Sequence, residues 1–185
     1  LLTNVGRRKR ILAQSIKFKD SKRVVPVGPK LAIPNSYDGY FELLSEDGRS
    51  VRCIESVSEL NRRFPDAVLV RDNFRAFVSK SDDLETIEDS SRLVLSGETL
   101  LLVGEVAKKS RNNAKFLRCF DKNGENVYLP LELKGCKFSA IAKEDNISGV
   151  HTVENLTSKR LPVMTRLVHG LPPVGLKSSQ SFLPE

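Results

Sequence analysis

The side chains able to do covalent or metal chemistry are few: Cys53, Cys119, Cys136, His151 and His169. A thiol nucleophile needs a base within hydrogen-bond reach and a lowered pKa, and a zinc site needs closely spaced ligands. No C-x-x-C, no histidine pair at helical spacing and no nucleophile-elbow or Cys-His pattern occurs, so no metal and no cofactor are expected. Cys119 is the most informative of the five. In "FLRCFDKNGENVYLPLELKG" it falls two residues after Leu117, so on a strand the two share a face, while Phe116, Arg118 and Phe120 share the other. A thiol beside aliphatic groups reads as a small buried hydrophobe. Nucleophile, metal ligand and redox switch stand as the alternatives.

Charged groups give weaker signals. Lys and Arg number 30 against 23 Asp and Glu, and the densest run is "GRRKR", where Arg7, Arg8 and Arg10 could meet phosphate, acidic lipid or an acidic protein. The competing reading is a solvated turn. Because the remaining basic residues are mixed with acidic ones and only 6% of residues are aromatic, nucleic acid is disfavoured as a partner. Asp82, Asp83, Glu85, Glu88 and Asp89 gather in "SKSDDLETIEDSS", an acidic surface loop rather than an acid/base pair. No glycine-rich phosphate loop is present, since "GPKLAIPNSYDG" has too few glycines and opens no helix. Tyr37, Tyr40 and Tyr128 are packing residues by position, with phosphorylation as the alternative. Three cysteines at irregular spacing in a chain of 185 residues point to a reducing, cytoplasmic setting. No apolar run is long enough for a membrane span. The start at Leu1 reads as a piece of a longer protein.

The elements that would position these residues are strands. "YFELLSEDGRSVRCIE" reads as a hairpin about Asp47-Gly48 and "KFLRCFDKNGENVYLPLEL" as one about Asn123-Gly124, the glycine pairs supplying positive φ. In the second, Val127, Leu129, Leu131 and Leu133 alternate with Tyr128, Pro130 and Glu132. Further strands are expected over 67–70, 74–79, 92–95, 99–106, 137–142 and 163–168. In "SVSELNRRFP" Ser56 and Glu59 form a capping-box spacing, Val57, Leu60 and Phe64 share a helix face, and Pro65 ends it. A second short helix is expected at "TVENLTSKRLP".

The two helices expose a repeat. Subtracting 96 from Gly124, Val127, Leu129, Pro130, Gly135, Thr152, Val153 and Leu156 lands on Gly28, Leu31, Ile33, Pro34, Gly39, Ser56, Val57 and Leu60. "LLTNVG" aligns loosely with "LLLVGE", so the first copy begins a strand late. The expected architecture is therefore all-β and internally duplicated: a pseudo-twofold pair of small barrels or sandwich halves with two short helices. The module spans 1–173, with halves at about 1–80 and 91–173, and 174–185 is a linker.

"VGPKLAIPNSYDGYFELL", "SVSELNRRFPDAVLV", "FLRC" with "VYLPLELKGCKFSAI", and "GVHTVENLTSKRLPVMTRLV" together resemble the CABIT module, the cysteine-containing all-β module of Themis, GAREM and Serrano-like proteins. The resemblance implies a non-enzymatic module of cytoplasmic adaptors acting downstream of tyrosine-kinase receptors. It implies as partners SH2-containing tyrosine phosphatases and Grb-type SH2/SH3 adaptors. Cys119 falls on the position of the module's named cysteine; subtracting 96 gives Arg23, so the first copy has no counterpart. The chain departs from the family pattern in lacking the front strands and the proline-rich tail, of which only "LPPVG" is similar. Two other function classes stand beside the docking module: a ligand-binding or thiol-dependent enzyme domain using Cys119, and a basic module for nucleic acid or acidic lipid.

Overall fold

The computed structural model describes residues 10–19, 23–45, 50–79, 90–108, 113–143, 148–174 and 181–184. In chain order they form β1 (Arg10–Lys19), β2 (Arg23–Pro34), β3 (Gly39–Leu43), β4 (Ile54–Ser56), α1 (Val57–Arg63), β5 (Ala67–Val70), β6 (Phe74–Ser79), β7 (Ser91–Val94), β8 (Thr99–Ala107), β9 (Lys115–Phe120), β10 (Asn126–Pro130), β11 (Lys134–Ala140), β12 (Val150–His151), α2 (Val153–Thr157), β13 (Thr165–Gly170) and β14 (Ser181–Pro184). The fold is all-β, and among the described residues helix is confined to the two short segments expected.

The strands fall into two compact units: unit 1 takes residues 1–51 and 142–185, unit 2 takes 52–141. Each therefore draws on both of the stretches 1–80 and 91–173. Unit 1 holds one sheet in the order β12-β3-β13-β14-β1-β2, and unit 2 holds another in the order β4-β11-β5-β8-β9-β10-β6-β7. Residues 181–184, within the stretch read as a linker, pair as β14 with both β1 and β13. Four residues ending in proline carry too little periodicity to announce a strand.

Several local features recur at the spacing of 96. The turn after β2 is closed by the N–H of Tyr37 on the Pro34 carbonyl, and that after β10 by the N–H of Leu133 on the Pro130 carbonyl, both 3.0 Å. Ser56 caps α1 by accepting from the N–H of Glu59 at 3.1 Å, and Thr152 caps α2 by accepting from the N–H of Asn155 at 3.2 Å. For six places the sheets also run in step: β12, β3, β13, β14, β1 and β2 occupy the positions that β4, β11, β5, β8, β9 and β10 hold in unit 2. Two glycines at this spacing serve different needs. Gly135 has a φ of +76°, with nothing within 4 Å of where a Cβ would stand, whereas a Cβ on Gly39 would meet the Tyr37 ring at 2.3 Å and the His169 carbonyl oxygen at 2.9 Å.

The hairpin expected over 40–55 is not formed. β3 pairs with β12 and β13, while β4 pairs with β11 in the other unit, and Asp47-Gly48 lies outside the described residues. An Asp-Gly pair favours a turn but carries no information about which strand the chain meets next. The second hairpin is present, with Val127 opposite Cys119 and Leu129 opposite Leu117. Its turn is wider than the two-residue type: the N–H of Gly124 bonds the Asp121 carbonyl at 3.0 Å, and Gly124 alone takes positive φ, at +78°. Asp121 Oδ1 accepts from the N–H groups of Asn123 and Glu125 at 2.8 and 2.9 Å.

In α1, Val57 and Leu60 enter the core as expected, but Phe64 does not. It is 43% exposed at the C-cap, with φ 43° and ψ 57°. Pro65 disfavours the helical conformation for the residue before it, so Phe64 turns left-handed and leaves the apolar face. Pro26, Pro29 and Pro34 interrupt the local strand pattern of β2, and only the repeat, which sets Pro34 against Pro130, points to a strand that ends there. It is the terminal strand of its sheet, where prolines are tolerated, and the register with β1 shifts between Gln14 and Ser15 so that Gly28 and Pro29 bulge out. Gln14 Nε2 donates to the Gly28 carbonyl at 2.8 Å and closes the bulge.

Candidate functional site

Cys119 lies at the centre of unit 2. Its strand, β9, is flanked by β8 and β10, placing Leu102 and Val127 opposite it on either side. The alternation read from the sequence sets Leu117 and Cys119 together in the main core with Ile54, Val57, Leu60, Val68, Leu100 and Phe138. Cys119 is wholly inaccessible, and burial pushes its thiol up from an ordinary 9.0 to about 12. At neutral pH only about one thiol in 10⁵ is then ionised. A nucleophile or metal ligand needs the opposite shift. Cys136 is also buried and its thiol is raised, chiefly by desolvation. Cys53, half-buried, sits 3.7 Å from the Ser139 hydroxyl.

The histidines belong to unit 1. His151 is fully buried in β12, opposite Phe41, with Nδ1 2.9 Å from Asn155 Oδ1, and Asn155 Nδ2 donates to the Ala142 carbonyl at 3.1 Å. This chain of bonds ties the start of α2 to the strand before it. His169 lies in β13 opposite Tyr40. Among the described residues no three His, Cys, Asp or Glu side chains gather as metal ligands, and no helix is long and apolar enough to cross a membrane.

The other face of β9 bears the surface features. Phe116 packs with the fully buried Tyr128, against Phe77 and Val106, in a second small cluster. Further along, the Arg118 guanidinium lies 5.3 Å over the Phe120 ring, and Arg118 Nε donates to Asn126 Oδ1 at 2.7 Å. Leu101, opposite Phe120 in the sheet, is 54% exposed. Arg, Phe and Leu thus meet at one place on the outer face of β8 and β9. The i, i+2 spacing of Arg118 and Phe120 was readable; Leu101 as their neighbour required the pairing.

Charged groups elsewhere serve the fold. Arg92 on β7 bonds Glu98 at 2.9 Å and Asp121 at 3.1 Å, linking the turn after β7 to the turn after β9. Glu42, buried in β3, is paired with Arg166 directly opposite in β13, whose Nε donates at 2.6 Å. Lys115 and Asn61 hold Glu105, each at 2.8 Å, and these hydrogen bonds, Lys115 first, lower the carboxyl's pKa. The Tyr37 ring packs on Phe41 and its hydroxyl donates to the Leu171 carbonyl at 2.6 Å. Burial first, and Asp38 second, raise the phenols of Tyr37 and Tyr40. Of the basic run, Arg10 opens β1 and is exposed; Arg7 and Arg8 lie outside the described residues, as do Asp82, Asp83, Glu85, Glu88 and Asp89.

A family model with the description "CABIT: Cell-cycle sustaining, positive selection," matches residues 1–185, the full length of the chain. No solved structure matches it.

Proposed function

The chain belongs to the CABIT family, and on that premise we propose that it is a non-catalytic docking module of a cytoplasmic signalling adaptor. It acts downstream of receptor tyrosine kinases, and its partner is an SH2-containing tyrosine phosphatase or a Grb-type SH2/SH3 adaptor. The observation that carries the reading is the sealing of Cys119, whose thiol lies in an apolar core with a raised pKa. The residue on the family's named position supports a rigid sheet instead of offering a nucleophile. Arg118, Phe120 and Leu101 supply the residue types that anchor protein interfaces of about 1,200 to 2,000 Å². Arg10, with Arg7 and Arg8, speeds encounter with an acidic partner and sets its salt dependence.

The test is an immobilised chain challenged with purified SH2-containing phosphatases and Grb-type adaptors. Retention of one of them, weakened by Phe120→Ala with the fold intact, is the expected result. Retention of none, together with turnover of a small substrate that disappears in Cys119→Ala, would replace docking by thiol-dependent catalysis.

A further inference from the structure

Unit 2 carries a cavity of about 580 Å³, a size within the range of about 300 to 1,000 Å³ that ligand pockets occupy. Its floor is aromatic. Phe77 of β6 and Phe116 of β9 meet edge to face, with ring centroids 5.9 Å apart and planes at 85°. Phe116 is 2% exposed, so half-buried Phe77 is the ring with surface left to offer. Ala114, Pro130 and Leu131 complete the apolar lining.

The rim is polar and exposed, made by Asn113, Lys115 and Glu132. Two backbone bonds fix the turn that carries Glu132. The N–H of Leu131 donates to the Lys115 carbonyl and that of Leu133 to the Pro130 carbonyl, each at 3.0 Å, which clamps 130–133 to the start of β9. The N–H of Lys108 donates to the Ala114 carbonyl at 2.9 Å and anchors the backbone beside Asn113.

Charge decides what the cavity accepts. Lys115 Nζ is committed to Glu105 Oε1 at 2.8 Å, and Asn61 holds the other oxygen of that carboxylate, so the ammonium is already compensated. Glu132 is not: no described residue bonds or pairs with its carboxylate, nor with the side-chain amide of Asn113. Two carboxylates against one ammonium leave a single negative charge above an aromatic floor. An anion is disfavoured there, and a neutral ring leaves Glu132 unanswered. A guanidinium answers both, because it is planar and weakly hydrated, stacks on aromatic rings and meets a carboxylate through two parallel N–H bonds. The protein already pairs these groups once, with Arg118 lying 5.3 Å over the Phe120 ring. The exposed rim encloses only one end of a ligand, as suits a side chain projecting from a second chain.

We propose that the cavity between Phe77 and Glu132 receives an arginine side chain of a partner protein, its guanidinium lying on the Phe77 ring and paired with the Glu132 carboxylate. The Asn113 amide oxygen accepts one further N–H. The inference goes beyond the docking reading above, concerns residues other than Arg118, Phe120 and Leu101, and does not depend on which folded partner that reading involves.

The experiment uses the whole chain and a short acetylated, amidated alanine peptide with one central arginine, followed through the backbone amide and aromatic spectra. Saturable shifts at Ala114, Lys115, Phe116, Leu131 and Glu132, and on the Phe77 ring, are expected. The same peptide with citrulline, which keeps the shape without the charge, should give none, and the lysine peptide should bind at least about threefold more weakly. Glu132→Gln should weaken the arginine peptide about fivefold at unchanged melting temperature, since Glu132 is exposed and pairs with no described residue. Lys115→Gln removes the ammonium from the rim and should tighten binding about twofold, a gain that a disturbed fold does not produce. No saturable shift with the arginine peptide, equal binding of the citrulline peptide, or indifference to Glu132→Gln would overturn the proposal. So would shifts confined to the cavity of unit 1 at Tyr37, Asp38 and His169. Ethylguanidine bound as tightly as the peptide would overturn it too, because the site would then serve a free small cation. Phosphatase or adaptor retention is scored separately, so either proposal can fail alone.

Discussion

Replacing Cys119 by Ala should carry a cost that fades as the pH rises. At pH 7 the variant loses the contacts of one buried sulfur, about 1 kcal/mol. Ionisation acts in the opposite direction. In the unfolded chain the thiol titrates near 9.0, and in the native protein burial holds it protonated up to about 12. Below pH 9 the native preference for the neutral thiol is fully present; as the pH climbs toward 12 the unfolded chain sheds a proton the native state retains, and that stability is lost. At pH 10 the loss in the wild type is about 1.4 kcal/mol, enough to cancel the penalty of the missing sulfur. Urea unfolding of both proteins at pH 7 and pH 10, followed by circular dichroism, reads the difference; Cys53, Cys136 and the other titrating groups occur in both and cancel. Expected is a wild-type advantage of about 1 kcal/mol at pH 7 that vanishes or slightly reverses at pH 10. An advantage of the same size at both pH values, or rapid alkylation of Cys119 in the native protein, would refute the sealed-thiol reasoning.

Two further outcomes follow from the backbone and the ion pairs. Gly170→Ala puts a Cβ 2.7 Å from the Asp38 carbonyl oxygen at a φ of +113°, and should cost about 3 kcal/mol; Gly28→Ala, at +76° with open space around it, should cost about 1 kcal/mol. Equal costs in denaturant titrations would count against the close approach of β3 and β13. Arg166→Ala leaves the buried Glu42 without its opposite charge and should destabilise by about 2 kcal/mol, whereas Arg52→Ala, breaking a pair exposed by 75% and 52%, should change stability by less than about 1 kcal/mol. Similar melting temperatures for the two variants would be the contrary result.

What could be read in advance was whatever a residue and its near neighbours decide. The face of Cys119, the caps at Ser56 and Thr152, and the strands over 67–70 and 74–79 follow from alternation and hydrogen-bonding side chains within a few residues. Partner choice does not. Tyr40–Leu43 carries the same pattern whether it meets the segment after Asp47-Gly48 or β12 and β13 more than a hundred residues on, and only the completed sheet distinguishes them. For β2 the local pattern is silent for a related reason: its prolines rule out a central strand and nothing local states that it lies at an edge, so only the repeat of Pro130 at Pro34 points to it. Phe64 was misplaced because helix periodicity was extended to the residue whose backbone Pro65 controls. The Arg118–Phe120–Leu101 patch and the Arg92–Asp121 link needed contacts between strands distant in sequence.

The division of strands between the two units also sets an order of events on the ribosome. All of unit 2 lies in the continuous stretch 52–141, so its ladders can close once that stretch has emerged. Unit 1 cannot finish then. Phe41 of β3 is paired by His151 and Leu167, which are made more than a hundred residues later. At about 5 to 20 residues per second the nascent β3 waits roughly 5 to 25 s with its apolar side chains unpartnered. The early β1–β2 hairpin stays equally incomplete until β14, made last, joins β1 to β13 and closes the sheet.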